Sequence, residues 1–588
     1  MNKIQSILLL LINIIVIIYK LIIMAGGLLN IAAVGNANLF LTGNPSKTFF
    51  KVTYCKYSNF GLQKFRIDYN GSRDLRLTEP STFQFKIPRH AELLMDTYIV
   101  LTLPDIWSPI HHPLPKPILS QEGLNTIPAI VDGNDTGCRW APYDFRWIEN
   151  IGASMIQEIE ITSGSTTIQK YTGEYLSMMV ERDFNNEKKE LFNNMSGNVP
   201  ELNDPANCNG RINSYPSTIH TSNTAGAEPS IRGRNLYIPI NTWFTLNSSC
   251  AFPLIALQYQ ELHINVTFRP IQDLFQVRDV FDSRNNFPYI KPNFGESRFQ
   301  MYRFLQTPPS IEVSAENYQN KLSVWNADIH LISTYCFLSK EEAELFARKD
   351  QVYLIKDVFT HTFENITGTR KVKLQSPPGM VASWMWNFQR NDVNLRNEWN
   401  NYTNWPYKTL PVGSVPYTNS NKQGAFPNID PVDLLVTGLL TTGNFAVENR
   451  KEILETMGIQ LDGSYRENML TRGIYDYIEK YTRTKGSAKE GIYCYNFCLD
   501  TSPFEYQPSG AINLSKFKNI ELDITTYVPP IDPINSRFDV ICDGEGNAIG
   551  FRKENWRLYD YNYNMTLYEE RYNVLSFMGG SCGMLHSR

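Results

Sequence analysis

Two short stretches, one in each half of the chain, restrict its architecture more than any other feature. Leu262-His263-Ile264-Asn265-Val266-Thr267-Phe268 sets four apolar residues on one face of an extended chain and three polar residues on the other, and closes at Pro270. Ile520-Glu521-Leu522-Asp523-Ile524-Thr525 repeats the alternation and closes at Pro529-Pro530. Each predicts a strand with one buried and one solvated face, as in antiparallel sheets stacked in a sandwich. The same ending to a strand cluster in both halves points to two similar domains in tandem.

Composition agrees with this. Aromatic residues make up 13% of the 588 positions and charged residues only 19%, which favours strands and elaborate loops over helical bundles. The net charge of −4 comes from 55 basic against 59 acidic residues, and no run of Lys or Arg could track a phosphate backbone. Direct binding to nucleic acid is therefore not expected. Nine cysteines, an odd number spread thinly, predict reduced thiols rather than a disulfide framework.

Further strands are expected at Phe83-Gln84-Phe85-Lys86-Ile87, which stops at Pro88, and at Ile159-Glu160-Ile161 before a Ser163-Gly164 turn. A Gly43-Asn44-Pro45 turn followed by Phe49, Phe50, Val52 and Tyr54 predicts another. Helices are few. Ser339-Lys340-Glu341-Glu342 is a capping box that predicts a helix over 340–348, and a second is expected over 172–183. Polar stretches at 105–145, 185–232 and 391–432 are expected to be outward loops. The domain boundary is placed near 300–309. At the N-terminus Ile4 to Ile23 is nearly all apolar and, at ~1.5 Å per helical residue, long enough to cross a bilayer. A membrane anchor, a signal peptide and a start placed too early are all open readings.

No motif yields a catalytic, cofactor-binding or metal-ligating assignment. Gly579-Gly580-Ser581-Cys582-Gly583 fits the nucleophile elbow of an esterase, but only five residues follow it. His586 is then too near to be an independent partner, and a flexible tail is expected. Asp132-Gly133-Asn134-Asp135-Thr136-Gly137 opens like a calcium loop, yet Tyr143 stands where the closing Glu belongs. Gly544-Glu545-Gly546 with Gly550 lacks phosphate-loop spacing and is read as a hairpin turn at Asp543-Gly544. Cys494 and Cys498 are half of a metal site without a second half, and His111-His112 are loop residues. Trp384, Trp386, Phe388, Trp399 and Trp405 suit a core or subunit contact better than a carbohydrate platform. Nine Asn-x-Ser/Thr sequons, Asn70, Asn247, Asn365 and Asn564 among them, are close to chance in an Asn-rich chain.

Several segments taken in order carry a family resemblance. Leu41 to Phe60 resembles the entry segment of the major capsid proteins of nucleocytoplasmic large DNA viruses, and Met24-Ala25-Gly26-Gly27-Leu28-Leu29 resembles their usual beginning. Ile87-Pro88-Arg89 with Tyr98 to Pro104, and Trp147 to Gly152 leading into Ile159, are similar to the strands that follow. Leu236 to Ile240 with Phe252 to Tyr259 resembles the end of the first domain, Gln507 to Ser515 is the most specific match, and Tyr572 to Leu575 resembles the closing segment. The resemblance implies an all-β protein with two tandem eight-stranded jelly rolls, long loops and a few short helices. Residues 1–23 would then be an extension, 24–48 an arm, 49–305 the first roll and 306–588 the second with large loop insertions. It further implies a non-enzymatic, cofactor-free subunit whose homotrimers are pseudo-hexameric and tile an icosahedral capsid. Implied partners are neighbouring capsomers, minor capsid proteins and an internal membrane, within a virion assembled in host cytoplasm. The alternatives are a membrane-anchored, lectin-like β-sandwich glycoprotein and a minor capsid paralogue.

Overall fold

The computed structural model describes residues 2–22, 35–72, 74–111, 141–211, 215–216, 228–279, 288–308, 318–375, 379–408, 450–529 and 560–586, with short strands at 118–120, 123–125, 539–542 and 548–552. Residues 1–58 and 59–588 form separate compact units. In the first, α1 runs Asn2–Ile22, with side chains described over residues 5–16. Among the described residues no helix is both long and apolar enough to cross a membrane.

The second unit contains the same eight-stranded pattern twice. In the first roll the strands are β1 (Phe60–Asp68), β2 (Ser81–Lys86), β3 (Leu93–Leu103), β4 (Ile156–Ser163), β5 (Thr166–Tyr171), β6 (Arg234–Pro239), β7 (Leu262–Phe268) and β8 (His330–Leu338). One sheet has the order β1-β8-β3-β6 and the other β5-β4-β7-β2, with every pairing antiparallel. The second roll has β9 (Gln351–Phe363), β10 (Thr369–Leu374), β11 (Met380–Arg390), β12 (Leu454–Leu461), β13 (Ser464–Thr471), β14 (Ile492–Asn496), β15 (Ile520–Thr526) and β16 (Tyr563–Met578). Its sheets run β9-β16-β11-β14 and β13-β12-β15-β10, the same order strand for strand. Even the accessory pairings recur: Phe252–Pro253 adds to β3 and Ile512–Asn513 adds to β11, each followed by a 3-10 turn. Two jelly rolls in tandem is therefore the architecture.

The alternation read from the sequence matches burial. Leu262, Ile264, Val266 and Phe268 of β7 lie in the first core, and Ile520, Leu522 and Ile524 of β15 in the second. Both expected helices form. α2 (Gly173–Asp183) starts at Thr172, whose side chain accepts from the Tyr175 amide, and α4 (Lys340–Arg348) starts at Ser339, which makes no side-chain cap bond.

Four expectations are corrected. No strand covers Phe49 to Tyr54; β1 begins at Phe60, paired with Leu338, because β8 ends there and the chain turns into α4. The strand His330–Leu338, which a boundary at 300–309 assigns to the second half, pairs with β1 and β3 of the first. Within the polar stretch 185–232 lies α3 (Asn186–Ser196), capped by the Asn185 side chain on the Lys188 amide and ended by Gly197 in the left-handed region. The closing residues are not a loose tail. Ser581–Met584 form β17, paired with β16 through the two-residue turn Gly579-Gly580, both at positive φ.

Candidate functional site: the buried seam between the rolls

Strand β11 is buried along nearly its whole length, which a sheet exposed on one side does not allow. Trp384, Trp386 and Phe388 point into the second core, against Tyr475, Tyr493 and Phe497. The alternate residues Ser383, Met385 and Asn387 face the other way and meet α2 of the first roll. Asn387 Nδ2 donates to Glu174 Oε1 at 2.8 Å, and Tyr568 of β16 donates to Glu174 Oε2 at 2.8 Å. Apolar residues continue the contact: Phe252 and Trp243 of the first roll touch Phe577 and Tyr353 of the second.

At the end of α2 a group of fully buried charges joins the rolls. Arg182 Nη2 lies 2.8 Å and 3.0 Å from the two Glu570 oxygens and 2.6 Å from Asp183 Oδ2, while its Nε is 3.0 Å from Asp183 Oδ1. Ser383 and Tyr175 hydroxyls donate to Glu570 at 2.6 Å and 2.7 Å, and Thr501 donates to Asp183 at 2.5 Å. Burial alone would raise the Glu570 carboxyl, but Arg182, Lys356 and the Ser383 hydroxyl bring it down to about 2. Asp183, which shares the same arginine, is held above its usual value by burial.

A second charge group anchors the loop after β11. Asp392 takes both Arg390 (2.9 and 2.7 Å) and Arg396 (3.0 and 3.0 Å), and the arginines hold its carboxyl far below the ordinary range despite burial. From this anchor Asn397 donates to the Gln272 and Phe275 carbonyls, Trp399 to the Asp273 carbonyl and Asn400 to the Glu149 carbonyl. At the far end the Gly579-Gly580 turn accepts the Gln258 and Tyr259 amides on the Gly580 carbonyl, and Gln260 Oε1 accepts from the Cys582 amide. The seam thus has two buried charged anchors and a third, partly exposed one at the Gly579-Gly580 turn, which together fix one roll on the other.

The residues considered for chemistry are placed elsewhere or apart. Ser581 lies in a hairpin strand, not between a strand and a helix, and the His586 amide donates to Asn573 Oδ1. Cys494 and Cys498 are both buried; burial pushes the Cys494 thiol up to about 12 and raises that of Cys498. Among the described residues no three His, Cys, Asp or Glu side chains are grouped as a metal site would need. Trp384, Trp386 and Phe388 are core, and Trp399 and Trp405 are half-buried under cations, Arg269 and Lys451 respectively, so the cluster is no open platform. Residues 132–137 and 544–546 lie outside the described residues, although the strands 539–542 and 548–552 around the latter pair antiparallel, as in a hairpin. The seam charges were not anticipated. Their signal is a charged triplet, Glu569-Glu570-Arg571, inside a sixteen-residue strand, together with Arg182-Asp183 at the end of a helix whose middle, Leu176 to Val180, is mostly apolar.

A duplicated jelly roll joined through a buried, charged seam defines a rigid double-barrel building block, and the known proteins similar to this chain are of that class. Residues 48–305 match the family model for the major capsid protein N-terminus, and residues 342–583 match that of the large eukaryotic DNA virus major capsid protein. The major capsid protein of Chrysochromulina ericina virus is 22% identical, over 96% of this chain and all of that protein. The PBCV-1 virus capsid structure superposes with a TM-score of 0.56 at 18% identity, over 92% of this chain and 100% of the other. The Faustovirus major capsid protein does so at 0.56 and 14%, over 92% and 94%. The chain belongs to the major capsid protein family of large eukaryotic DNA viruses.

Proposed function

We propose that the chain is the repeating structural subunit of an icosahedral viral shell, working by self-association without catalysis or a cofactor. The observation that carries this reading is the strand-for-strand repeat held rigid by the seam. Two similar lobes in each of three chains make a capsomer with six similar lobes, which suits a hexagonal lattice position. An obligate trimer of this kind buries about 2,000 to 5,000 Å² per interface. Neighbouring capsomers are its main partners, with minor capsid proteins and an internal membrane beneath the shell. Assembly takes place in host cytoplasm, and the genome is not contacted directly.

Native mass spectrometry of the purified chain tests the reading. The expected species has three times the 67.6 kDa of one chain and survives reducing agent. A glycosylated, membrane-bound monomer overturns it. Copies per particle, counted by quantitative proteomics, separate a major subunit from a minor paralogue used at special lattice positions.

A further inference from the structure

The intrachain seam has a second, unfilled version. Within the chain, the outer face of the β9-β16-β11-β14 sheet receives α2, the helix that follows β5. The first roll has the same sheet, and the second roll has the corresponding helix. After β13 the chain passes Gly473 into a π-helical turn, Ile474–Ile478, and then Glu479–Arg483, just as it passes into α2 at Gly173 after β5.

Both of these surfaces are more open than their counterparts, although on the sheet Val100 and Cys336 are buried, Cys336 against Ala251 and Phe346 of α4. On the β1-β8-β3-β6 sheet, Leu62, Ile332, Tyr98 and Tyr237 alternate with core residues such as Leu331, Ile99 and Ile238 and therefore share the outer face. Leu62 is 53% and Tyr237 41% exposed, whereas Tyr568, Met385 and Cys494 on the matching face of the second roll are fully buried. On the helical segment Tyr477, Ile478 and Tyr481 are exposed, Tyr481 at 91%. Counted from Gly173 and Gly473, Ile478 holds the place of Met178, which turns towards the other roll in α2, and Tyr477 and Tyr481 lie beside it one and three residues away.

We propose that residues 473–483 of one copy dock on the outer face of the β1-β8-β3-β6 sheet of a second copy. Seams within chains and seams between chains then alternate around a ring. The contact is heterologous, helix to sheet, so it must either close or grow open; three copies with six lobes close it. Tyr477, Tyr481 and Ile478 are rigid apolar anchors of the sort that carry binding energy. The inference rests on the capsid-subunit reading and names the surfaces that reading leaves unspecified.

Two double variants of the full chain test it, Ile478→Asp with Tyr481→Asp on the helix and Leu62→Asp with Tyr237→Asp on the sheet. All four positions are exposed, and circular dichroism with urea melting checks each fold. Each variant alone is expected to be monomeric by light scattering, with self-association weakened on the order of 100-fold or more. Mixed in equal amounts, they are expected to give a dimer, because one intact helix still meets one intact sheet. Should a variant fold poorly, Tyr481→Ala and Tyr237→Ala replace it, with weakening of about 10-fold each as the expected result. Variants that remain trimeric at wild-type affinity, or a mixture that stays monomeric, overturn the docking while leaving the capsid reading in place. A wild-type chain that is itself monomeric overturns the reading beneath it.

Discussion

Replacing Arg182 by Met removes the one cation that two buried carboxylates share while keeping much of the side-chain stem in place. Glu570 is held at about 2 against an ordinary 4.5, a difference of 2.5 units, and at ~1.36 kcal/mol per unit this is about 3 kcal/mol of stability at neutral pH. Breaking a buried ion pair by deleting one partner costs about 3 to 5 kcal/mol, so two independent routes agree on scale. In the native protein the Glu570 carboxyl titrates below its unfolded value. Its contribution is therefore complete above about pH 4.5 and lost as pH falls towards about 2. In Arg182→Met the sign reverses. Two carboxylates without a cation are driven upward by burial, the folded chain holds protons that the unfolded chain releases, and stability falls as pH rises. Urea unfolding followed by tryptophan fluorescence at pH 5 and pH 8, at one chain concentration, reads this out. The variant should lose about 3 kcal/mol at pH 8 and distinctly less at pH 5, and adding Glu570→Gln should restore part of the loss. A variant within 0.5 kcal/mol of wild type at pH 8, or with equal deficits at both pH values, would refute the electrostatic account of the seam; the 0.5 threshold is about the effect of an ordinary surface substitution.

The Gly579-Gly580 turn should distinguish its two positions: Gly579→Asn, in open space at φ 56°, should be neutral or stabilising in a thermal melt, since Asn-Gly suits this turn. Gly580→Asn should cost about 1 to 3 kcal/mol, because a Cβ there would come within 2.9 Å of the Tyr259 ring. Asp392→Asn leaves Arg390 and Arg396 buried without a full countercharge and should open the loop 391–408 to limited proteolysis, with a loss of about 3 kcal/mol. His361, buried beside Arg571 and lowered to about 4, is neutral in the folded chain. Its contribution is complete above about pH 6.5 and lost as pH falls towards 4, so His361→Gln should flatten the stability profile across that window in urea melts.

How far the fold was legible follows from what a periodic pattern encodes. Alternation names the buried face of β7 and β15 but not the neighbouring strand, so it could not show that His330–Leu338 returns to pair with β1 across a long intervening segment. For the same reason Phe49 to Tyr54 looked like a strand: their residue types suit one, but β8 ends before it could reach them. Polar composition hid α3, whose only local signals are its Asn185 cap and Gly197 stop. Phe252 and Ile512 lie in two separately recognised segments that prove to be one structural element in its two copies, adding to β3 and β11. The tryptophans could be read as core, whereas the Arg182 and Glu570 pairing could not, because its partners are far apart in the chain and meet only after both rolls form.

The difference between the two sheet faces has a physical logic. Within one chain the rolls are tethered, so their effective concentration is high, on the order of millimolar even for flexible linkage. A seam formed under those conditions can include Arg182, Asp183 and Glu570, whose large desolvation cost is offset only in the one geometry that pairs them. Free copies meeting in solution have no tether. On the proposed docking face Ile332 and Tyr98 lie on the two central strands and Leu62 and Tyr237 on the edges, with Arg66 already paired to Asp68 and Asp328, and Asp96 accepting from Thr334, before any partner arrives. Apolar and aromatic area then carries the association, with Lys64 on the edge strand able to keep its ammonium at the rim of the contact. Duplication of the roll thus assigns the costly, geometry-setting contact to the covalent seam and the area-driven contact to assembly.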